Sequence, residues 1–176
     1  MTEKKCIFCD LIKEGRANPI YEDDKIIAML DINPASAGHI LVMPKEHYPI
    51  IEQIPDPLIG KLFTISNKLS TAVFESLNSL GTNIMINNGI SAGQKAAHSM
   101  IHIIPRREND GIDFAWQPKQ LNEEEMSTIE LQLKEQTKNI GEFEQEAKDP
   151  VNMDNKAKEI ESDPENYQLK QMDRIP

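Results

Sequence analysis

Apolar residues occur along the chain in four short runs and one longer helical pattern. The short runs are rich in Ile, Val, Leu and Met, as β-strands are, and they occupy residues 26–32, 39–45, 82–87 and 98–106. Between the second and third runs, apolar residues recur at helical spacing over 57–77, which predicts an amphipathic helix. Asp56 suits the N-cap of that helix and Pro57 its first position.

The order of these segments predicts an α+β fold. The connections within the first pair of strands and within the last pair are too short for a helical crossover, so we expect a mostly antiparallel sheet with one long helix. A charged helix is predicted from about Asn122, where Asn122 and Glu125 have the spacing of a capping box. We therefore divide the chain into a domain at 1–118 and a C-terminal helix with an acidic extension at 119–176. Beyond residue 141, polar composition predicts an extended, loosely helical or partly disordered tail.

Charge and composition exclude several functional classes. The formal net charge is −10, which repels a nucleic acid backbone but leaves open a small anionic ligand in a local pocket. No run approaches the roughly 18 apolar residues that span a bilayer, and the charged start of the chain does not fit a signal peptide. We expect a cytoplasmic protein that binds neither nucleic acid nor membrane.

The two cysteines, Cys6 and Cys9, form a CxxC pair that is too small for a disulfide scaffold and leaves metal binding, a redox pair and inert thiols open.

The last apolar run carries two histidines on one face of its predicted strand. Strand alternation places His98, Met100 and His102 on the same side. The two imidazoles are separated by roughly 13 Å along an extended strand, whereas a metal–nitrogen bond is about 2 Å. We therefore expect them to belong to different parts of a site. From this strand alone, two surface histidines with local hydrogen bonds are the alternative.

The loop before that strand combines glycine with polar side chains. Asn87, Gly93 and Gln94 lie in it within a few residues of one another. Glycine lets a backbone approach a ligand closely, and free N–H groups in such a loop bind phosphate oxygens. An ordinary turn is the alternative, because loops rich in Gly and Asn are common.

Taken together, the loop and strand resemble the signature of a known family. The stretch NNGISAGQKAAHSMIHIIPR is similar to the signature of the histidine-triad (HIT) family: an Asn, a Gly-Gln pair, and alternating histidines ending in Ile-Pro-Arg. The stretch CIFCDLIKEGRANPIYEDDKIIAMLDINPASAGHILVMPKEH resembles that family's N-terminal half. The resemblance covers about residues 5–118. It implies a HIT-like α+β fold, a homodimer and a purine nucleoside phosphate ligand. Active members of the family act on nucleoside phosphoramidates, dinucleoside polyphosphates or other nucleotidyl compounds.

The resemblance implies a role for each matching residue. The family's middle, nucleophilic histidine falls on Met100, whose thioether cannot carry a proton and is a poor nucleophile toward phosphorus. His39 matches a histidine that supports the triad from the neighbouring strand. Lys95 stands where relatives often have serine, which changes the charge near the leaving group. The nucleotide-binding residues that the resemblance implies are Asp31 for the ribose, His102 as the third histidine, and Asn87, Gly93 and Gln94 on the phosphate side.

A structural zinc is also implied by the resemblance. In some bacterial relatives a CxxC pair and two distant histidines hold zinc, and the matching residues here are Cys6, Cys9, His47 and His98. Two thiolates and two imidazoles are a ligand set that zinc favours, and four protein ligands leave no open position for catalysis. Free thiols with His47 on the surface are the alternative.

Two functions follow from the loss of the nucleophile. The first is a HIT-like nucleotide-binding protein that lacks the covalent nucleotidyl-histidine chemistry. The second is a nucleotidyl hydrolase in which His102 or His39 activates water for direct attack, without a covalent intermediate. Met100 favours the first function, whereas the retained nucleotide-side residues suit either.

Overall fold

A computed structural model of the protein describes residues 6–138 and 140. Five strands and three helices follow one another as α1 (Ile7–Lys13), β1 (Pro19–Glu22), β2 (Ile26–Leu30), β3 (Ile40–Pro44), α2 (Asp56–Leu77), β4 (Gly81–Met85), β5 (Ile101–Arg106) and α3 (Glu123–Gln136). The strands form one sheet in the order β1-β2-β3-β5-β4, and every neighbouring pair is antiparallel. The predicted α+β class with an antiparallel sheet and one long helix is confirmed. None of the described helices has the length and apolarity needed to cross a membrane.

Each face of the sheet carries its own apolar cluster. On the first face, side chains of β2, β3 and β5 pack against α2, with Ile26, Val42, Ile103, Leu62 and Ile65 among the buried members. On the second face, Ile27, Met29, Leu41 and Met43 pack against residues of α1 and against Met100. Because both faces are covered, the central strands read as continuous apolar runs in the sequence.

Strand β5 lies between β3 and β4. His102 is opposite Leu41 on one side and Met85 on the other, and Ile103 is opposite Ile40 and Ile84. A shift of one residue would move every β5 side chain to the other face. Pairing along both edges therefore fixes His102 on the second face of the sheet.

Several predicted boundaries differ from the observed ones, and two of the differences affect the site and the long helix. The last strand begins at Ile101 rather than at His98, because the Ser99 amide donates to the Tyr48 carbonyl at 2.6 Å instead of joining the sheet. The long helix has Pro55 at its N-cap, and Asp56, the predicted cap, is its first residue. Pro57 is consequently the second helical residue rather than the first, and proline is tolerated there because the amides of the first turn have no partner within the helix.

The C-terminal part of the chain follows the capping-box prediction. Asn122 Oδ1 accepts from the Glu125 amide at 2.8 Å, and Glu125 accepts from the Asn122 amide at 3.1 Å. By its internal contacts the chain separates into two units, residues 1–130 and 131–176. The division after residue 118 stays a prediction, and the expected extended tail from 141 lies outside the described residues.

Candidate functional site

A pocket of about 590 Å³ opens beside β5, on the second face of the sheet. Its volume lies within the range of about 300–1,000 Å³ that is typical of small-molecule sites. All the residues that sequence reasoning assigned to the nucleotide or to the missing nucleophile line this one pocket: Asp31, His39, Asn87, Gly93, Gln94, Met100 and His102. The fold therefore gathers side chains from the loop after β2, the start of β3, the loop after β4 and β5.

Met100 forms part of the pocket wall. Its half-buried side chain packs against the apolar cluster that contains Leu41 and Met43. A thioether has no proton to donate and accepts hydrogen bonds only weakly. The position that the family resemblance gives to a nucleophile is therefore occupied by a packing residue.

His39 and His102 form a hydrogen-bonded pair beside Met100. The Ala35 amide donates to His39 Nδ1 at 3.2 Å, and His39 Nε2 lies 3.1 Å from His102 Nδ1. Because an amide can only donate, His39 Nδ1 must accept, so neutral His39 carries its proton on Nε2. That proton is donated to His102 Nδ1, and neutral His102 consequently carries its own proton on Nε2.

Burial keeps both imidazoles neutral. It lowers the pKa of His39 and of His102, the charge of His39 lowers the pKa of His102 further, and Asp31 opposes the shift in both. Asp31 Oδ2 lies 3.5 Å from His39 Nδ1, a contact that is an ion pair only when His39 is protonated. Because burial is the larger effect, we read this contact as a carboxylate beside a neutral ring at neutral pH.

The loop that connects β4 to β5 is anchored by Gln94. Its Oε1 accepts from the Gly89 amide at 2.8 Å, and its Nε2 donates to the carbonyls of Pro49 and Ala96 at 2.7 and 2.8 Å. Both amide protons of Gln94 are thus used within the protein. A direct contact from Gln94 to phosphate stays a prediction, while its observed hydrogen bonds shape the loop.

Asn88 adds a second anchor that sequence reasoning missed. Its Oδ1 accepts from the Ile51 amide at 3.1 Å, and its Nδ2 donates to Glu52 at 2.6 Å. Both partners are more than thirty residues away in the chain, so no local pattern marks them. The loop is consequently held against the segment that leads into α2.

A second cluster joins the N-terminal CxxC pair to two histidines. Cys6 Sγ lies 3.5 Å from His98 Nδ1, and Cys9 Sγ lies 3.3 Å from His47 Nδ1 and 3.6 Å from His98 Nδ1. For a tetrahedral zinc with Zn–S of about 2.3 Å and Zn–N of about 2.0–2.1 Å, sulfur and nitrogen ligands are separated by roughly 3.5 Å. The observed separations therefore match the edges of a zinc tetrahedron.

The tautomer of His98 also suits a bound cation. His98 is fully buried, and its Nε2 donates to the Pro44 carbonyl at 2.9 Å, which leaves the Nδ1 lone pair directed at the thiols. Burial, with a smaller effect of the neighbouring Cys6, raises the pKa of the Cys9 thiol to about 11. A bound cation would reverse that shift, because it stabilises the thiolate.

The group of Asp31, His39 and His102 fits a metal less well. Their ligand atoms lie within 4.8 Å of one another. However, the Ala35 amide occupies the lone pair of His39 Nδ1, and the proton on Nε2 occupies the other ring nitrogen. A metal bound to His39 Nε2 would move the ring proton to Nδ1, where it would face the Ala35 N–H. We therefore interpret the group as hydrogen-bonded rather than metal-binding.

Comparison with known proteins assigns the family. The HIT domain model matches residues 13–109, and the chain belongs to this family. It is 39% identical over 109 residues to adenylylsulfatase HINT3 of Arabidopsis thaliana, a match that covers 61% of this chain and 55% of that protein. It is 30% identical over 137 residues to adenosine 5′-monophosphoramidase HNT1 of Candida albicans, covering 74% of this chain and 90% of that one. The chain thus spans only about half of the Arabidopsis relative.

Solved structures confirm the fold. A HIT family member from Bacillus subtilis superposes with a TM-score of 0.69 at 32% identity, covering 75% of this chain and 96% of that chain. A Zn-bound histidine triad family protein from Mycobacterium smegmatis superposes with a TM-score of 0.58 at 34% identity, covering 65% and 84%. The antiparallel sheet and helices described above are therefore those of the HIT fold.

The pH dependence of stability tests the neutral imidazole pair. Above the ordinary histidine pKa of 6.5 the pair is neutral in the folded and unfolded states. Below it, the unfolded chain binds protons that the buried rings exclude, so the free energy of unfolding should fall as pH falls until the lowered folded pKa is reached. Denaturant unfolding on both sides of pH 6.5 measures this slope.

A matched variant isolates the pair from other titrating groups. His39→Gln/His102→Gln retains His98 and every carboxylate, so it should show a shallower loss of stability over the same pH interval. Equal slopes for the variant and the wild type would show that the two imidazoles are not held neutral by the fold.

Proposed function

We propose that this protein is a HIT-family purine nucleotide-binding protein that lacks covalent nucleotidyl-histidine chemistry. The main support for this proposal is that Met100 lines the same pocket as the residues that the resemblance assigns to the nucleotide. Every residue that the resemblance assigns to a nucleoside phosphate lines this pocket, whereas a group able to attack phosphorus at position 100 is absent. The resemblance further supports a homodimer, and the charge and composition of the sequence support a cytoplasmic protein that binds neither nucleic acid nor membrane.

The proposed ligand class follows from the relatives and the pocket together. The names of the Arabidopsis and Candida relatives both specify an adenosine 5′-phosphoryl group joined to a further group. In our proposal Asp31 binds the ribose hydroxyls, because one carboxylate oxygen accepts from the Asn33 amide at 2.9 Å and the group retains further acceptor capacity. The loop at Asn87 and Gly93 then surrounds the phosphate, next to His102.

The hydrogen-bonded pair argues against the non-covalent hydrolase. A general base needs an available lone pair within hydrogen-bond reach of the attacking water. His39 Nδ1 accepts from Ala35 and His102 Nδ1 accepts from His39, so neither neutral ring has a lone pair left for water. In this arrangement His102 is suited to donate its Nε2–H to a phosphate oxygen. That is a role in ligand binding rather than in activation of water.

We also propose a structural zinc held by Cys6, Cys9, His47 and His98. Its support is the tetrahedral spacing of the ligand atoms, the His98 tautomer and the zinc-bound Mycobacterium smegmatis neighbour. Such a metal would join α1 to the segment after β3 and to the residues that lead into β5. It would stabilise the fold without taking part in chemistry.

Loss of one zinc ligand should destabilise the protein. Metal analysis after chelator-free purification should find about one zinc per chain. Cys6→Ser should lower the melting temperature by on the order of 5–10 °C, because the metal links distant segments. Chelator should shift wild type to the same melting temperature and leave Cys6→Ser unchanged. Wild type that contains no metal after chelator-free purification, and that melts at the same temperature as Cys6→Ser, would refute the zinc proposal.

Restoring the nucleophile should create activity. Met100→His places an imidazole beside a phosphate that the pocket already holds, so hydrolysis of an adenosine phosphoramidate should rise at least about a hundredfold, equivalent to about 2.7 kcal/mol of barrier. Denatured Met100→His from a short reaction should carry covalent AMP. The matched control is Met100→Leu, which keeps an apolar side chain and should bind AMP without turnover. A folded Met100→His that binds AMP yet remains inert would show that more than the nucleophile has been lost.

A further inference from the structure

The charges that line the pocket are unevenly distributed. Among the described residues that line the pocket, Lys95 is the only lysine or arginine, and Asp31 is the only carboxylate. Burial lowers the pKa of His39 and His102, so these rings add no formal positive charge near neutral pH. In a chain with a net charge of −10, one lysine therefore supplies the positive charge of the pocket lining within residues 6–138 and 140.

The backbone on both sides of Lys95 is held in place. The side chain of Gln94, the preceding residue, bonds to the Gly89 amide and to the Pro49 carbonyl. Its third hydrogen bond goes to the carbonyl of Ala96, the residue after Lys95. Lys95 consequently extends from a segment that the fold has already positioned, which reduces the entropy lost when its ammonium binds a ligand.

Lys95 has no competing partner in the part of the chain that the structure describes. Within residues 6–138 and 140, no carboxylate forms an ion pair with its ammonium and no side-chain hydrogen bond engages it. Its side chain is exposed, whereas Met100 and His102 are half-buried. Lys95 thus stands at the solvent side of the pocket, where the outer end of a ligand would lie.

We infer that Lys95 determines the ligand specificity of this pocket by binding an anionic group attached to the nucleotide's 5′-phosphate. The inference rests on the proposed function, which places that phosphate beside Met100. A lysine ammonium is a compact, strongly hydrated point charge with three donors, so it favours a second phosphate or a sulfate over a neutral group. Nucleoside diphosphates and mixed phosphate anhydrides are thereby preferred to nucleoside monophosphates.

Binding of AMP and ADP to the full chain tests this specificity. Wild type should bind ADP about tenfold more tightly than AMP, a difference of about 1.4 kcal/mol. Lys95→Met keeps the apolar stem and removes the charge, so ADP affinity should fall about tenfold or more while AMP affinity changes less than about twofold. Lys95→Arg keeps the charge and should retain the ADP preference. Calorimetric titration at constant ionic strength gives all the affinities.

Lys68→Met is the matched control for net charge. Lys68 is an exposed residue of α2, and α2 packs on the sheet face opposite to the pocket. Lys68→Met should therefore leave the ADP preference at its wild-type value. An equal loss of preference in Lys68→Met would show a global charge effect and overturn the assignment to Lys95.

The remaining outcomes separate this inference from the function on which it rests. If wild type binds neither AMP nor ADP, the proposed function itself fails. If wild type binds both but without preference, or if Lys95→Met weakens AMP and ADP equally or keeps the preference, nucleotide binding stands and the role of Lys95 is refuted.

Discussion

Pairing of β5 along both edges is the constraint on which the site depends. With β3 on one side and β4 on the other, the strand cannot slip without reversing every side chain. His102 is thereby fixed on the face that carries the pocket, opposite Leu41 and Met85. Residues before the strand leave the sheet, and His98 turns to the thiols of α1 instead. One short segment therefore supplies both a candidate metal ligand, His98, and a pocket residue, His102.

Met100 occupies its place in the pocket wall without disturbing the hydrogen bonds of its neighbours. Met100 packs into the apolar cluster beneath α1, so its thioether is accommodated without disturbing its neighbours. The hydrogen bonds from Ala35 to His39 and between the two imidazoles involve no atom of Met100. In the proposed function this pocket binds phosphate but has no group at position 100 that could attack it. The physical basis of the proposed function is this separation of binding from nucleophilic chemistry.

Sequence reasoning predicted the features that depend on local patterns. Alternation and helical spacing located the strands and α2, and the capping box at Asn122 formed as its spacing indicated. The family resemblance supplied the residues that converge on the pocket and on the candidate zinc cluster. The secondary-structure predictions held because each follows from short-range geometry, whereas the roles of the pocket and cluster residues stay predictions.

Several features of the structure were not predicted, and most of them depend on contacts between residues that are distant in the sequence. The start of β5 depends on Ser99 bonding to Tyr48, and the loop is held by Asn88 and Gln94 through partners more than thirty residues away. The tautomer of His39 depends on the Ala35 amide, which is near in sequence but leaves no side-chain signature. Asp56 was expected at the N-cap, yet the helix begins one residue earlier. Neither propensity nor spacing contains this information.

Incubation of wild-type protein with an adenosine phosphoramidate tests directly whether the pocket binds a nucleotide without forming a covalent nucleotidyl intermediate. The reaction should be followed for AMP release and, after denaturation, for nucleotide attached to the protein. Wild type should bind the nucleotide, yield no covalent adduct and release no AMP above the uncatalysed rate. Accumulation of a nucleotidylated wild-type protein would contradict the proposed function.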